Sequence, residues 1–310
     1  MLVSVLATVQ IILVSWWAAH RGLSLPMAEV ALHTVVTMAG ALLVGSAARL
    51  TIARQRPDMR FVGDLSFALV TIVLVATAYT WSKLLIPGIH PRLFDAQLRS
   101  LDLLLTCGVD PGVFVRVLIG GAPWFARILG SVYGAFVWIS LAGTAWYAAA
   151  PRVAARRRFV PAVASLWLIG SWGYLAVPAL GPVFVDEAVW IEVHPLMPNL
   201  SDTAYWLALN YQATKQMLAG ESETIVAWYG VAAMPSLHVG LTTLLALWAP
   251  SRVGNWLWWI IAALMFVGSV ASGWHWLVDS IAGAVLAGAV YLIARPQRRI
   301  RWGEVDPGKG

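Results

Sequence analysis

Residues 255–294 read NWLWWIIAALMFVGSVASGWHWLVDSIAGAVLAGAVYLIA. Apolar residues fill most of 255–272 and 275–294, and the imidazole and carboxyl side chains of the stretch are His275 and Asp279. A helix that crosses the hydrocarbon core of a bilayer needs about 20 mostly apolar residues. The stretch therefore reads as two spans joined by a tight turn near 272–275.

The same pattern recurs upstream. Runs at 2–19, 28–48, 62–86, 124–148, 159–180 and 235–250 bring the candidate spans to eight. The run 235–250 is short, which places the start of its helix deeper in the preceding segment. Composition agrees: 60% of the 310 residues are hydrophobic and 12% charged, with mean hydropathy +0.74, against about 45–50% apolar and about 25% charged in soluble domains. A soluble enzyme and a disordered chain are excluded. The single cysteine, Cys107, excludes a disulfide framework and a multi-cysteine metal centre, and reads as a buried small apolar residue. Net charge is +6, but the basic residues stand in short clusters between apolar runs, a pattern of membrane loops rather than of a nucleic-acid surface. Eighteen tryptophans, Trp256, Trp258 and Trp259 among them, suit interfacial belts. With no small-residue cleavage site before His20–Arg21, 2–19 reads as an anchor rather than a cleaved signal peptide.

Basic loops mark the cytoplasmic side. Arg49, Arg54, Arg56 and Arg60, then Arg152, Arg156, Arg157 and Arg158, then Arg252, then Arg295, Arg298, Arg299 and Arg301 fall on one side if eight spans alternate. The expected architecture is an all-α polytopic membrane bundle of about eight spans with both termini cytoplasmic. Two N-terminal spans and a basic loop (1–60) precede a membrane catalytic domain (61–295) and a basic tail (296–310). Three segments face outward: 87–123, 181–234 and the turn near 272–275. In the first, Leu98, Leu101 and Leu105 recur at helical spacing with Asp95, Arg99 and Asp102 opposite. This predicts an amphipathic helix in the interface, the alternative being a membrane-dipping loop. The second segment is polar and partly helical over 201–219, and loops this long are usually functional.

Ionisable groups in apolar spans are functional candidates. His275 and Asp279 stand i,i+4 on one face near the outward start of the last helix. An Asp bonded to one ring nitrogen leaves the other free as nucleophile or base; a structural tie between helices is the alternative. In Met234-Pro-Ser-Leu-His-Val-Gly, Pro235 suits the first turn of a helix, which sets Ser236 and His238 near its N-terminus. Free amides and the helix dipole attract phosphate there. Two outward histidines, one beside an Asp and one beside a helix start, suit phosphoryl transfer. Glu29 and His33 form a second i,i+4 pair, read as an interhelical hydrogen bond. Ser280-Ile-Ala-Gly-Ala-Val-Leu-Ala-Gly supplies small residues for close helix packing.

At these residues the chain resembles the type 2 phosphatidic acid phosphatase superfamily. Pro235, Ser236 and His238 are similar to its second motif, and Ser269, His275 and Asp279 have the spacing of its third. Phe94-Asp-x-x-Leu-x-x-Leu-Asp and Pro178-Ala-Leu-Gly-Pro182 resemble most the inositol phosphorylceramide synthase branch and its bacterial relatives. The resemblance spans roughly 75–295. It implies a phospho-histidine on His275, with Asp279 orienting the ring. His238 protonates the leaving group, Ser236 and nearby amides hold phosphate oxygens, and neither metal nor cofactor takes part.

The chain departs from the family pattern in two places. The first motif, a Lys seven residues before Arg-Pro, is not found, and the Arg that follows the third-motif Ser is Val270 here. A phosphoryl transition state still needs cations, and the outward candidates are Lys215 first, Arg127 second, then Lys83. The resulting expectation is a membrane lipid phosphotransferase acting on lipid or polyol substrates at the extracytoplasmic face of the plasma membrane. Alternatives are a lipid phosphatase using the same residues, a proton-relay transporter, an inactive scaffold, and a two-His-one-carboxylate metal enzyme.

Overall fold

In a computed structural model, the described residues are 1–23, 27–54, 57–150, 152–221, 231–249 and 255–295, and among them the chain is helical with no strand. The expected basic tail, 296–310, and the side chains of Glu29 and His33 lie outside them. The helices are α1 (Leu2–His20), α2 (Met27–Ala53), α3 (Met59–Ile89), α4 (Asp95–Leu105), α5 (Pro111–Gly120), α6 (Pro123–Gly134) and α7 (Phe136–Ala148). There follow α8 (Val153–Ala176), α9 (Pro182–Val185), α10 (Glu187–Leu196), α11 (Pro198–Leu218), α12 (Leu237–Trp248), α13 (Asn255–Ala271) and α14 (Leu277–Ala294).

Every apolar run of the sequence forms helix, but not eight full spans. Five stretches are long and apolar enough to cross a membrane: α1, Val35–Ile52 of α2, α3, α8 and α14. A sixth arises if α6 and α7, bent by 55°, are one broken span. The run 124–148 is thus two helices meeting at Ala135, which turns Tyr133 and Phe136 inward together. The short run does not start early: Ser236 caps α12, which begins at Leu237. Its 12 residues rise about 18 Å, against a hydrocarbon core of about 30 Å.

Two further expectations are corrected. In α4 the carboxylates face the protein, with Asp95, Leu98 and Asp102 buried, while Leu101, Leu104 and Leu105 are exposed. The helix is amphipathic in the opposite sense, because the acids have backbone N–H groups to satisfy inside. Cys107 is exposed, in the turn that ends α4 with positive φ.

The ends of the bundle differ in chemistry. At one end Asp64 of α3 pairs with Arg156 and Arg157 of α8, each through a guanidinium Nε at 2.8 Å. Arg49 stacks on Trp146 there, 4.2 Å from the ring centre. The starts of α12 and α14 lie at the other end. There α14 comes so close to α12 that a Cβ on Gly283 would stand 2.0 Å from the Ser236 carbonyl oxygen. Glycine at this crossing brings His238 beside His275.

The first span is tied to the bundle by a polar knot. Gln10 of α1 is buried; its amide nitrogen lies 2.6 Å from Ser82 Oγ and 2.9 Å from Ser171 Oγ, and Trp172 Nε1 donates to its Oε1 at 2.8 Å. Interhelical hydrogen bonds in membranes are worth about 0.6 kcal/mol each. Gln10→Leu, which removes the knot but keeps the volume, is expected to lower the apparent melting temperature in detergent by a few degrees. An unchanged melting curve would show that apolar packing alone seats α1.

Candidate active site

The start of α14 is buried, and a helix start presents N–H groups with no intrahelical acceptor. Three carboxylates take them and their neighbours. Asp102 accepts from the amides of Leu277 (2.7 Å) and Val278 (2.8 Å), and Asp279 Oδ2 from that of Trp276 (2.8 Å). Asp95 accepts from the Trp276 indole (3.0 Å) and from the amides of Leu180 (3.0 Å) and Gly181 (2.9 Å). The turn 178–183 is joined to 273–279 directly, with Val183 N–H donating to Gly273 O at 2.8 Å. Gly181, at φ +100°, is required there, because a Cβ would stand 2.3 Å from the Trp274 carbonyl oxygen. Ser236 N–H donates to Asp279 O (2.9 Å), which attaches the start of α12 to the same loop.

This framework holds two histidines face to edge. His275 Nε2 lies 3.4 Å from His238 Nδ1, with the ring centres 5.5 Å apart. His238 stacks on Tyr133 at 4.6 Å and lies 4.1 Å from the ring of Phe136, so the bend between α6 and α7 builds its wall. Asp279 Oδ2 is 3.7 Å from His275 Nδ1, within ion-pair reach but longer than a hydrogen bond. Its other oxygen and His275 Nδ1 have no protein partner.

Ser236 is fully buried and its Oγ accepts from Val239 N–H at 3.4 Å, so it caps α12 rather than facing the cavity. Pro235 precedes this cap instead of standing in the first turn. Ser269 spans α13 and α14 through Ser280, Oγ to Oγ 2.7 Å.

A cavity of about 460 Å³ opens on His275, lined by Trp276, Val270, Asp102, Arg99 and Arg116 among others. None of the expected phosphate cations lines this cavity. Lys215 is exposed on α11, its ammonium 5.9 Å from the Tyr211 ring. Arg127 lines a separate cavity of about 300 Å³ with Ser131 and Asn199. Lys83 is half-buried over the rings of Tyr79 and Tyr174. Arg116, unnoticed in the sequence, is a buried cation of the His275 cavity. The signal was present: Pro111-Gly-Val-Phe-Val-Arg-Val-Leu-Ile-Gly carries one charge in an otherwise apolar run.

Buried polar atoms normally find partners. Among the described residues eight buried side-chain atoms lack a hydrogen-bond partner: His275 Nδ1, Asp279 Oδ1, Tyr133 Oη, Trp274 Nε1 and Arg116 Nη1, on or around the histidine pair and its cavity, and Ser15 Oγ, Ser46 Oγ and Trp81 Nε1 elsewhere.

The sequence model of the PAP2 superfamily matches residues 96–293. The chain belongs to that superfamily. Its members are in general phosphatases or phosphotransferases. No curated protein and no solved structure matches the chain. The superfamily match takes in His238, His275, Asp279 and Arg116, and leaves α1–α3 outside. Val270, where the family pattern has Arg, lines the same cavity as Arg116.

Burial raises the Asp102 carboxyl above its ordinary range, outweighing the two amides that lower it. The folded chain then holds this proton more tightly than the unfolded one. The contribution of Asp102 to stability is fully present below the ordinary carboxylate value and is lost as pH rises through the raised one. Asp102→Asn, which keeps one carbonyl acceptor and loses the other, is expected to melt between the parent and Asp102→Ala near neutral pH and to flatten the acid-side slope. Asp102→Ala orphans two buried amides, at about 1–3 kcal/mol each, and is expected to melt lower. Equal melting of both variants would remove the capping role.

Proposed function

We propose that the protein is an integral membrane phosphotransferase of the inositol phosphorylceramide synthase-like kind. It transfers a phosphorylated head group from a lipid donor to a lipid or polyol acceptor. The observation that carries this reading is the histidine pair, 3.4 Å apart beside a head-group-sized cavity. With Asp279 next to Nδ1, His275 attacks phosphorus through Nε2. The P–O bond to the leaving group breaks as the N–P bond forms, and His238 gives its proton to the departing oxygen. His238 then takes the proton of the acceptor hydroxyl, whose oxygen attacks phosphorus and releases His275. Ser236 contributes by fixing the start of α12, and the side chains supply nucleophile, acid and charge without calling on a metal.

Residues 61–295 form the catalytic domain in this reading, 1–60 supply two accessory spans, and 296–310 are a basic tail. The arginines at the bundle end opposite His275 support a cytoplasmic assignment for that end, with both termini there. The site then faces the extracytoplasmic side of the plasma membrane. A phosphatase with water as acceptor is the second reading, favoured by the charged lining of the cavity, which admits water beside His275.

Incubation of the purified protein with a panel of phospholipids and prenyl phosphates, read by mass spectrometry, separates the two. A head-group-exchanged lipid, absent with His275→Ala, is expected; free phosphate alone makes the protein a phosphatase. His238→Ala is expected to lose about 10²–10⁴-fold in rate, the scale of general acid–base catalysis. Turnover that survives His275→Ala would remove the nucleophile. The rate is expected to fall on both sides of an optimum, because His275 must be neutral to attack and His238 protonated to donate; a flat profile from about pH 5 to 9 would exclude that division of roles.

A further inference from the structure

We infer that Arg116 is the cation that seats the phosphoryl oxygens of the substrate in the His275 cavity, and that Glu192 positions its guanidinium. This rests on the phosphoryl-transfer reading above. Charge on a transferring phosphoryl group spreads over three equatorial oxygens, and a side chain that stabilises it must be cationic and screened from water. Among the described residues the cations lining this cavity are Arg99 and Arg116. Arg99 is exposed, whereas the side chain of Arg116 is 4% exposed.

The partners of Arg116 leave part of its fork free. Its Nε donates to Glu192 Oε2 at 2.7 Å, while Nη1 is buried without a protein partner. Glu192, from α10, is itself 48% exposed. The other wall carboxylates are engaged elsewhere: Asp95 and Asp102 with backbone amides and the Trp276 indole, Asp110 with the Val113 amide and Asp186 with the Ala188 amide. A buried guanidinium held by one half-exposed carboxylate is incompletely compensated. A phosphate in the cavity supplies the missing anion, and the planar fork of Arg suits two of its oxygens. The local sequence allows this placement: a Cβ on Gly112 would stand 2.9 Å from Arg116 Nη1, so the guanidinium lies against the first turn of its own helix where a side chain would intrude. Val270 supplies no charge to this wall, and Arg116 from α5 does.

The test is calorimetric titration of the full-length protein in detergent with orthovanadate, a phosphoryl mimic that needs no knowledge of donor or acceptor. Arg116→Gln is expected to weaken vanadate binding about 10- to 100-fold, the scale of one charge-assisted hydrogen bond to an anion. Arg116→Lys, which keeps the charge and loses the fork, is expected to fall between parent and Arg116→Gln. Glu192→Gln is expected to weaken binding less than Arg116→Gln, and Arg92→Gln, outside the cavity, to leave it within about twofold. Added guanidinium is expected to restore vanadate affinity to Arg116→Ala, which a purely structural arginine would not permit. If Arg116→Gln fails to fold, Arg116→Lys at parental affinity overturns the inference. So does Arg116→Gln at parental affinity, or a loss that appears in Lys215→Gln or Arg127→Gln instead. A parent protein that binds no vanadate, and forms no phospho-histidine, overturns the phosphoryl-transfer reading itself. Binding in the parent that is indifferent to Arg116 overturns this assignment alone.

Discussion

The site depends on a helix start that has no water to bond. Every catalytic candidate in this chain sits within a few residues of the beginning of α12 or α14, where amides point away from their own helices. In a soluble protein solvent would satisfy such groups at little cost. Here Asp102, Asp279 and Asp95 do so from within the protein, and each takes its acceptor role from a different direction: across from α4, back from the third residue of α14, and sideways through the Trp276 indole. The geometry of His275 is therefore set by carboxylates that bond to the backbone and indole around it, of which Asp279 also stands beside the ring. Asp279 is engaged first with the Trp276 amide and stands 3.7 Å from the imidazole, which makes it a frame for the loop as well as a charge beside the ring.

The second histidine is held by apolar means. His238 follows the Ser236 cap on α12 and is walled by Tyr133, Phe136 and Trp274. Tyr133 and Phe136 stand three residues apart, a spacing that sets both rings on one side of the chain, and they flank the 55° bend between α6 and α7. Gly283 completes the arrangement by letting the α14 backbone approach the Ser236 carbonyl. One histidine is thus placed by electrostatics at a helix end and the other by shape. Their ring nitrogens meet where an apolar bundle becomes a polar cavity.

Much of this was legible in the sequence, and the failures follow a pattern. Hydropathy located α1, α2, α3, α8, α12, α13, α14 and the run that divides into α6 and α7, since length and apolarity are properties of a continuous run, and it passed over α5. The motif residues His238, His275 and Asp279 do come together, but not on one helix face: His275 precedes the Trp276 cap of α14, and His238 meets it from α12, 37 residues away in the chain. What the sequence hid is the direction in which polar groups point. Asp95 and Asp102 look like the wet face of an interfacial helix until the buried amides of α14 are known to need them. Lys215 lies on the polar outward segment and Arg127 near the outer end of an apolar run, where a cation was sought, but neither lines the cavity. Arg116 was hidden by its setting, a charge inside a short apolar run whose partner, Glu192, is 76 residues away.

That pattern bears on how the chain departs from its superfamily. A phosphate cation written next to a histidine in sequence is delivered by the same loop that delivers the nucleophile. In this protein that position is Val270, and the charge in the cavity arrives from α5, a helix at its side wall. Moving the cation from the motif loop to a separate helix uncouples its position from that of His275. A carboxylate on α10 then has to aim it, and the 2.7 Å bond to Glu192 does so while leaving the far edge of the guanidinium free. On the phosphoryl-transfer reading proposed above, an anion beside His275 is held by a helix other than those that carry the motif residues. A sequence motif alone under-describes the cavity: Val270 and His275 come from one stretch of chain, and the buried cation on the same wall comes from another.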